Sequence, residues 1–196
     1  MYPATHPEYN ALNTALSKIE HIAEHVNESK RQVENMSKLL DIQNRLHNSD
    51  SFVVFSPTRR LLKEGMLKRV RNNNTNDCIE QLIFLFNDVI LYTDTNFHMN
   101  GCVNLDTLQL IPADVNNNNT TTIELIDKGR SNTLTFICSS SIEYQDWQRF
   151  FSAAIQQSKL LDAQSAHRRS ISSGVTNQML TTHKTNNSVD MHDLGI

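Results

Sequence analysis

A chain of 196 residues that is 38% hydrophobic suits one domain of ordinary size, with chain left over outside its core. Its 18 basic residues are outnumbered by 21 acidic ones and the formal net charge is −3, which excludes the dense basic surface that a nucleic-acid partner requires. Cys78, Cys102 and Cys138 stand singly at wide spacing, which excludes a disulfide framework and a zinc cluster.

No basic, then apolar, then small-residue leader opens the chain. The longest unbroken apolar run, Leu82–Phe86, is far below the ~20 residues that span a bilayer. A reduced, cytoplasmic protein is expected, peripheral to a membrane at most.

The first predicted element is a helix from residue 5 to about residue 47. Thr5 followed by Glu8 fits a capping box, and Pro7 is tolerated in a first helical turn. From there to Leu46 the chain has neither Gly nor Pro. Leu12, Ile19, Val26, Val33 and Leu40 recur every seven residues, with Ala15, Leu16, Ile22, Ala23, Met36 and Leu39 beside them. This predicts one amphipathic helix of about 40 residues, about 60 Å long. Such a helix is too long to bury its stripe on a small β domain. Three outcomes stay open: a two-stranded coiled coil, partner helices outside this chain, or partial fraying. Ser29, Lys30, Ser37 and Gln43 interrupt the second seam position and weaken the coiled coil.

His21 and His25 lie four apart on this helix, but not in the H-E-x-x-H arrangement that sets a general base beside zinc, and no metal is expected there.

Two motifs in series carry a resemblance. H-P-E-Y-x-x-L-x-x-A-L-x-x-I-x-x-I-A-x-H-V-N-E-x-x-R, residues 6–31, resembles the last helix of the Dbl-homology (DH) catalytic domain of Rho guanine nucleotide exchange factors. S-P-T-R-R-L-L-K-E-G-M-L-K, Ser56–Lys68, is similar to the linker from that domain into its pleckstrin-homology (PH) partner. The resemblance runs from about His6 to Ile155. It implies a Rho-family GTPase as partner, gripped through Asn27 with Lys30 and Arg31 as neighbours. Read alone, Asn27 is a solvated helix residue. The upstream helices of the family's catalytic bundle are absent, so the chain resembles the tail of an exchange factor and is expected to be inactive alone.

The β region is built on Gln81–Tyr92. Its apolar runs Leu82–Phe86 and Val89–Tyr92 flank Asn87-Asp88, residues that tolerate the left-handed backbone of tight turns, which predicts a hairpin covered on both faces. Strands are expected at Glu64–Val70, Ile79–Phe86, Val89–Thr93, Gly101–Leu105, Leu108–Ile111, Thr121–Ile126 and Thr133–Cys138. Asn72–Asn74 and Asn116–Asn119 are expected in loops. Ser140-x-x-Glu143 is a second capping box, opening a helix whose Tyr144, Trp147, Phe150, Phe151, Ala154 and Ile155 form a core stripe. The fold class is therefore α+β: a PH-like, seven-stranded bent β-sandwich or barrel capped by a C-terminal helix and preceded by one long amphipathic helix.

The expected divisions are residues 1–50 for a truncated DH helix, 51–63 for the linker, 64–158 for the PH domain and 159–196 for a disordered tail. In the tail, Arg168-Arg169-Ser170 fits a basophilic kinase, a match that arises often by chance.

Arg59, Arg60, Lys63, Lys68, Arg69 and Arg71 form the strongest basic cluster, against Glu64 alone. Lys68, Arg69 and Arg71 are the candidates for an anionic lipid such as a phosphoinositide. Glu80-Gln81 at the next strand departs from a lipid-binding pattern.

No phosphate-cradling Gly-rich loop, nucleophile elbow or metal cluster occurs, so no cofactor and no bond-making chemistry is expected. The expected function is the C-terminal DH–PH portion of a Rho-family exchange factor. The alternative is a stand-alone PH adaptor for phosphoinositides or proteins, with the helix as a homodimer or docking element.

Overall fold

The computed structural model describes residues 8–48, 52–71, 74–111, 121–130 and 132–182. Helix α1 spans Tyr9–Arg45 as one uninterrupted element, as its lack of Gly and Pro dictates. Thr5 lies outside the described residues. Glu8 stands at the N-cap of the described helix with helical backbone. At the other end Leu46 turns extended, with ψ 131°, and its amide closes the last bond to Ile42 at 3.1 Å.

Seven strands follow: β1 (Leu61–Arg71), β2 (Asn74–Phe86), β3 (Val89–Thr93), β4 (Met99–Asn104), β5 (Leu108–Leu110), β6 (Thr122–Asp127) and β7 (Asn132–Ile137). They pair in the order β4-β3-β2-β1-β7-β6-β5, antiparallel throughout. β1 joins the two halves, but meets β7 only at Lys68↔Ile137 and Arg69↔Phe136.

Strand β2 begins five residues before its expected start. Because β1 continues to Arg71, it draws its partner with it, across a register break between Val70↔Cys78 and Arg71↔Asn74. Asn74 is thus in a strand despite low β-propensity, because pairing with a neighbour overrides it. Asn116–Asn119 lie outside the described residues.

Alternation along the hairpin sorts its side chains into two cores. Ile83, Leu85, Ile90 and Tyr92 face inward with Leu67, Phe136, Trp147 and Phe151. Phe84, Phe86, Val89 and Leu91 face outward, where Leu39, Ile42 and Leu46 from the end of α1 and Val54 cover them. Both faces of the hairpin are therefore buried, as the paired apolar runs require.

Helix α2 spans Ser141–Thr182. Ser140 Oγ accepts the Glu143 amide at 3.2 Å, and Glu143 returns to accept from the amide and hydroxyl of Ser139, both at 2.6 Å. Tyr144, Trp147, Phe151, Ala154 and Ile155 of α2 are buried in the inner core. Gly65 on β1 leaves room for Trp147: a Cβ there would stand 3.1 Å from its Cζ2. The helix does not stop near Leu161 as expected but continues to Thr182. Leu160 and Leu161 are already exposed, so the backbone carries on where burial has ended, at first through good helix formers such as Lys159, Leu160, Leu161, Ala163 and Gln164. Residues 183–196 lie outside the described residues.

Candidate interaction site on the long helix and its junction with the sheet

The segment between α1 and β1 holds the two parts together through polar groups. Asn35, on α1, donates Nδ2 to the Arg59 carbonyl at 2.8 Å and accepts the Leu61 amide on Oδ1 at 3.0 Å. Gln43, two turns on, accepts the Val54 amide at 2.5 Å. One amide side chain thus replaces a strand partner at the entry to β1, and another satisfies the buried Val54.

Arg59 is the centre of this junction. Its guanidinium meets Asp88 in a forked pair, Nε to Oδ1 at 2.9 Å and Nη2 to Oδ2 at 2.7 Å. Nη1 donates to the carbonyls of Val53 at 2.7 Å and Val54 at 3.1 Å. The plane lies 4.8 Å over the Phe52 ring. Only 11% of the side chain stays exposed. The planar fork of Arg, not a point charge, suits this set of acceptors.

The hairpin turn is the other half of the clamp. Asn87 Oδ1 accepts the Arg60 amide at 2.7 Å, its Nδ2 donates to the Thr58 carbonyl at 3.1 Å, and its amide donates to the Arg60 carbonyl at 3.0 Å. Neither Asn87 nor Asp88 takes a left-handed φ. The turn uses these residues for their side-chain hydrogen bonds, not for the backbone freedom expected of them.

Beyond this anchor, α1 stands clear. Leu12, Leu16, Ile19, Ile22, Val26 and Val33 are all more than half exposed. Asn27 lies on this uncovered stretch. Lys30 and Arg31 are also exposed, each in a loose pair one helical turn away, with Glu34 at 3.8 Å and Glu28 at 3.9 Å. Glu28 is shared with Arg60 at 3.2 Å, which ties this stretch of helix to the linker. The hydrogen bond from Arg60, assisted by Gln32, holds the Glu28 carboxyl below the ordinary carboxylate range.

The basic cluster expected on β1 is dispersed. Arg59 and Arg60 are spent on the junction, and Lys63 meets Asp146 at 2.5 Å while lying over the Trp147 and Phe150 rings. Lys68 and Arg69 are adjacent on a strand and so point to opposite faces. Lys68 faces Glu80 across the ladder and lines an open cleft of about 350 Å³ that also carries Glu143. Arg69 lies 4.5 Å over the Tyr92 ring, and Arg71 pairs with Asp77 at 2.9 Å. Lys68, Arg69 and Arg71 therefore share no common focus.

Residues 61–156 match the family model described as the PH domain. With the seven-stranded antiparallel sheet and its closing helix, this match gives these residues a PH-like fold. Similarity to one relative runs over more residues than this match. The chain is 28% identical over 148 residues to the mouse FYVE, RhoGEF and PH domain-containing protein 4, covering 72% of this chain and 18% of that protein. It is 38% identical over 90 residues to Rac guanine nucleotide exchange factor B of Dictyostelium discoideum, covering 46% of this chain and 7% of that protein. The chain thus spans less than a fifth of either relative's length. The structure of the DH/PH fragment of PDZ-RhoGEF in complex with human RhoA matches with a TM-score of 0.56 at 15% identity, over 79% of this chain and 48% of that one. That coverage exceeds the PH domain alone, so the order of long helix, junction and PH domain is shared as a fold.

The sequence pointed to the hairpin as a turn and to Arg59 as part of a cationic patch. It did not reveal Asn35, Arg59, Asn87 and Asp88 as one clamp. A polar Asn35 just before the buried end of the stripe was the available signal.

Among the described residues no helix is long and apolar enough to cross a membrane.

Proposed function

We propose that this chain is the C-terminal portion of a Rho-family guanine nucleotide exchange factor, in which the PH domain holds the last catalytic helix in place through the junction. The observation that carries this is the uncovered apolar stripe of α1 on a helix rigidly docked at its other end. A stripe of six half-exposed Leu, Ile and Val residues is a surface made for neighbouring helices, and RhoGEF and Rac exchange stand in the names of the relatives this chain is similar to. Asn27, Lys30 and Arg31 are proposed to contact the GTPase from the exposed side of this helix. Exchange needs no bond-making group, only preferential binding of the nucleotide-free GTPase. One helix does not supply that surface, so the chain alone is proposed to be inactive.

The PH domain's attraction to anionic membranes is proposed to be weak and diffuse, because Lys68, Arg69 and Arg71 are separated and two carboxylates share the Lys68 cleft. On this reading the protein works in the cytoplasm and at the membrane surface.

Two measurements test the reading. Release of a fluorescent guanine nucleotide from a panel of Rho-family GTPases is expected to be unchanged by this chain alone. Sedimentation equilibrium separates the reading from an adaptor: a monomer is expected at tens of micromolar, whereas a stable dimer abolished by Val26→Asp would favour a dimerising adaptor.

A further inference from the structure

The C-terminal end of α1 brings together two histidines 51 positions apart in sequence. His47 and His98 form an isolated parallel bridge, in which the His47 amide donates to the Phe97 carbonyl at 2.9 Å and the Met99 amide to the His47 carbonyl at 3.1 Å. Their ring centroids are 5.3 Å apart and tilted by 41°.

The backbone on both sides is strained to achieve this. Among the described residues, the non-glycine positions with left-handed φ are Asn48 at 57° and Phe97 at 61°, the immediate neighbours of the two histidines. For a bulky residue such as Phe this conformation is a genuine outlier, and such strain concentrates at functional positions.

His98 is also oriented. Its Nδ1 lies 3.0 Å from Asp94 Oδ2, while Asp94 Oδ1 accepts the amides of Asn96 at 2.8 Å and His98 at 2.9 Å. The His98 amide bond, first among these contacts, keeps the Asp94 carboxyl below the ordinary carboxylate range, so it stays ionised. A neutral imidazole that donates Nδ1–H to a carboxylate presents Nε2 as its lone-pair donor, the arrangement by which carboxylates support metal-binding histidines.

We propose that His47 and His98 form a two-imidazole site for a divalent transition-metal ion of the zinc class, oriented by Asp94. Two imidazoles on one tetrahedral ion, with Zn–N bonds of about 2.0–2.1 Å, have ring centroids about 5 Å apart. The observed 5.3 Å between ring centroids matches that spacing. No third His, Cys, Asp or Glu completes a cluster among the described residues, so water or a group from another molecule fills the remaining positions. The facing charges favour a cation on balance: Asp94 is anionic, and Arg45, which covers the Phe97 ring at 3.8 Å, is paired with Asp41 at 3.2 Å. A bound ion staples the end of α1 to the segment between β3 and β4, independently of the GTPase reading.

The test is calorimetric titration of the whole chain with zinc chloride in a non-chelating buffer at pH 7.5. One equivalent is expected to bind. His47→Ala and His98→Ala each weaken it more than tenfold, Asp94→Asn weakens it about tenfold, and His21→Ala with His25→Ala leaves it unchanged. Copper(II) bound to the unmutated chain should show electron-spin-resonance splitting from two imidazole nitrogens, a readout that needs no variant to fold. Wild-type affinity in His47→Ala or His98→Ala, loss in the His21/His25 variant, absence of saturable binding, or splitting from one nitrogen would overturn the proposal.

Discussion

Replacing Arg59 with Ala removes the centre of the junction, and the structure sets the size of the effect. Hydrogen bonds to a charged group contribute about 1.5–3 kcal/mol, whereas exposed ion pairs contribute about 1 kcal/mol or less. Asp88 is 48% exposed and regains water when its partner goes, so the pair itself counts toward the low end. The Val54 carbonyl belongs to a fully buried residue and loses a donor, and the Phe52 ring loses its cover. Together these give a local cost of about 3 kcal/mol. The cost should fall on the linker and the end of α1, not on the inner core around Trp147, which Arg59 does not touch. Hydrogen exchange by mass spectrometry reads this directly. Amides of residues 52–61 and 39–46 should exchange about a hundredfold faster in Arg59→Ala, at 1.4 kcal/mol per tenfold, while peptides of β6, β7 and α2 stay unchanged. Arg59→Lys should recover less than half, because an ammonium cannot reproduce the fork. Unchanged exchange in residues 52–61, or an equal acceleration throughout the β domain, would refute the local clamp.

Other substitutions probe separate supports. Asn35→Ala removes both hydrogen bonds to the linker and should cost about 1–2 kcal/mol in urea unfolding, with the entry to β1 exchanging faster. Gly65→Ala places a methyl 3.1 Å from a Trp147 ring that is 2% exposed and cannot withdraw; a loss of about 1–3 kcal/mol and a shift in Trp fluorescence are expected. Burial pushes the Cys138 thiol up to about 12, with Glu143 adding to the shift. Its neutral form is therefore favoured in the folded chain, so its contribution to stability is intact below the ordinary thiol range and is lost as pH rises from there toward 12. Iodoacetamide at pH 8.5 should leave Cys138 unmodified until the protein is unfolded.

Periodicity made most of the fold legible. Seven-residue recurrence gave α1, alternation and short apolar runs gave the strands, and Ser140 with Glu143 gave the start of α2. The end of α2 was not legible, because apolar patterning reports burial and the helix outlasts its burial. The start of β2 was missed for a related reason: Asn74 has no strand preference of its own and is ordered by Arg71 opposite it. At the site, the exposed stripe could be read from spacing alone. The junction could not, since Asn35 and Asp88 meet Arg59 from 24 and 29 positions away and polar residues in a linker carry no periodic signal. The same limit turned a set of separately paired cations into an apparent cluster: Arg59, Arg60, Lys63 and Arg71 each find a carboxylate that only the folded chain brings near.

The central claim is that α1 supplies one GTPase-contacting helix of an exchange domain. The most direct measurement grafts residues 9–156 onto the mouse FYVE, RhoGEF and PH domain-containing protein 4, which matches this chain over 148 residues, in place of its matching segment, and follows release of a fluorescent guanine nucleotide from a panel of Rho-family GTPases. The account predicts that the graft accelerates release and that Asn27→Ala in it lowers the rate at least tenfold while leaving its thermal unfolding unchanged. A folded graft whose acceleration is the same with Asn27 or Ala at that position, or one that does not accelerate release at all, would contradict it.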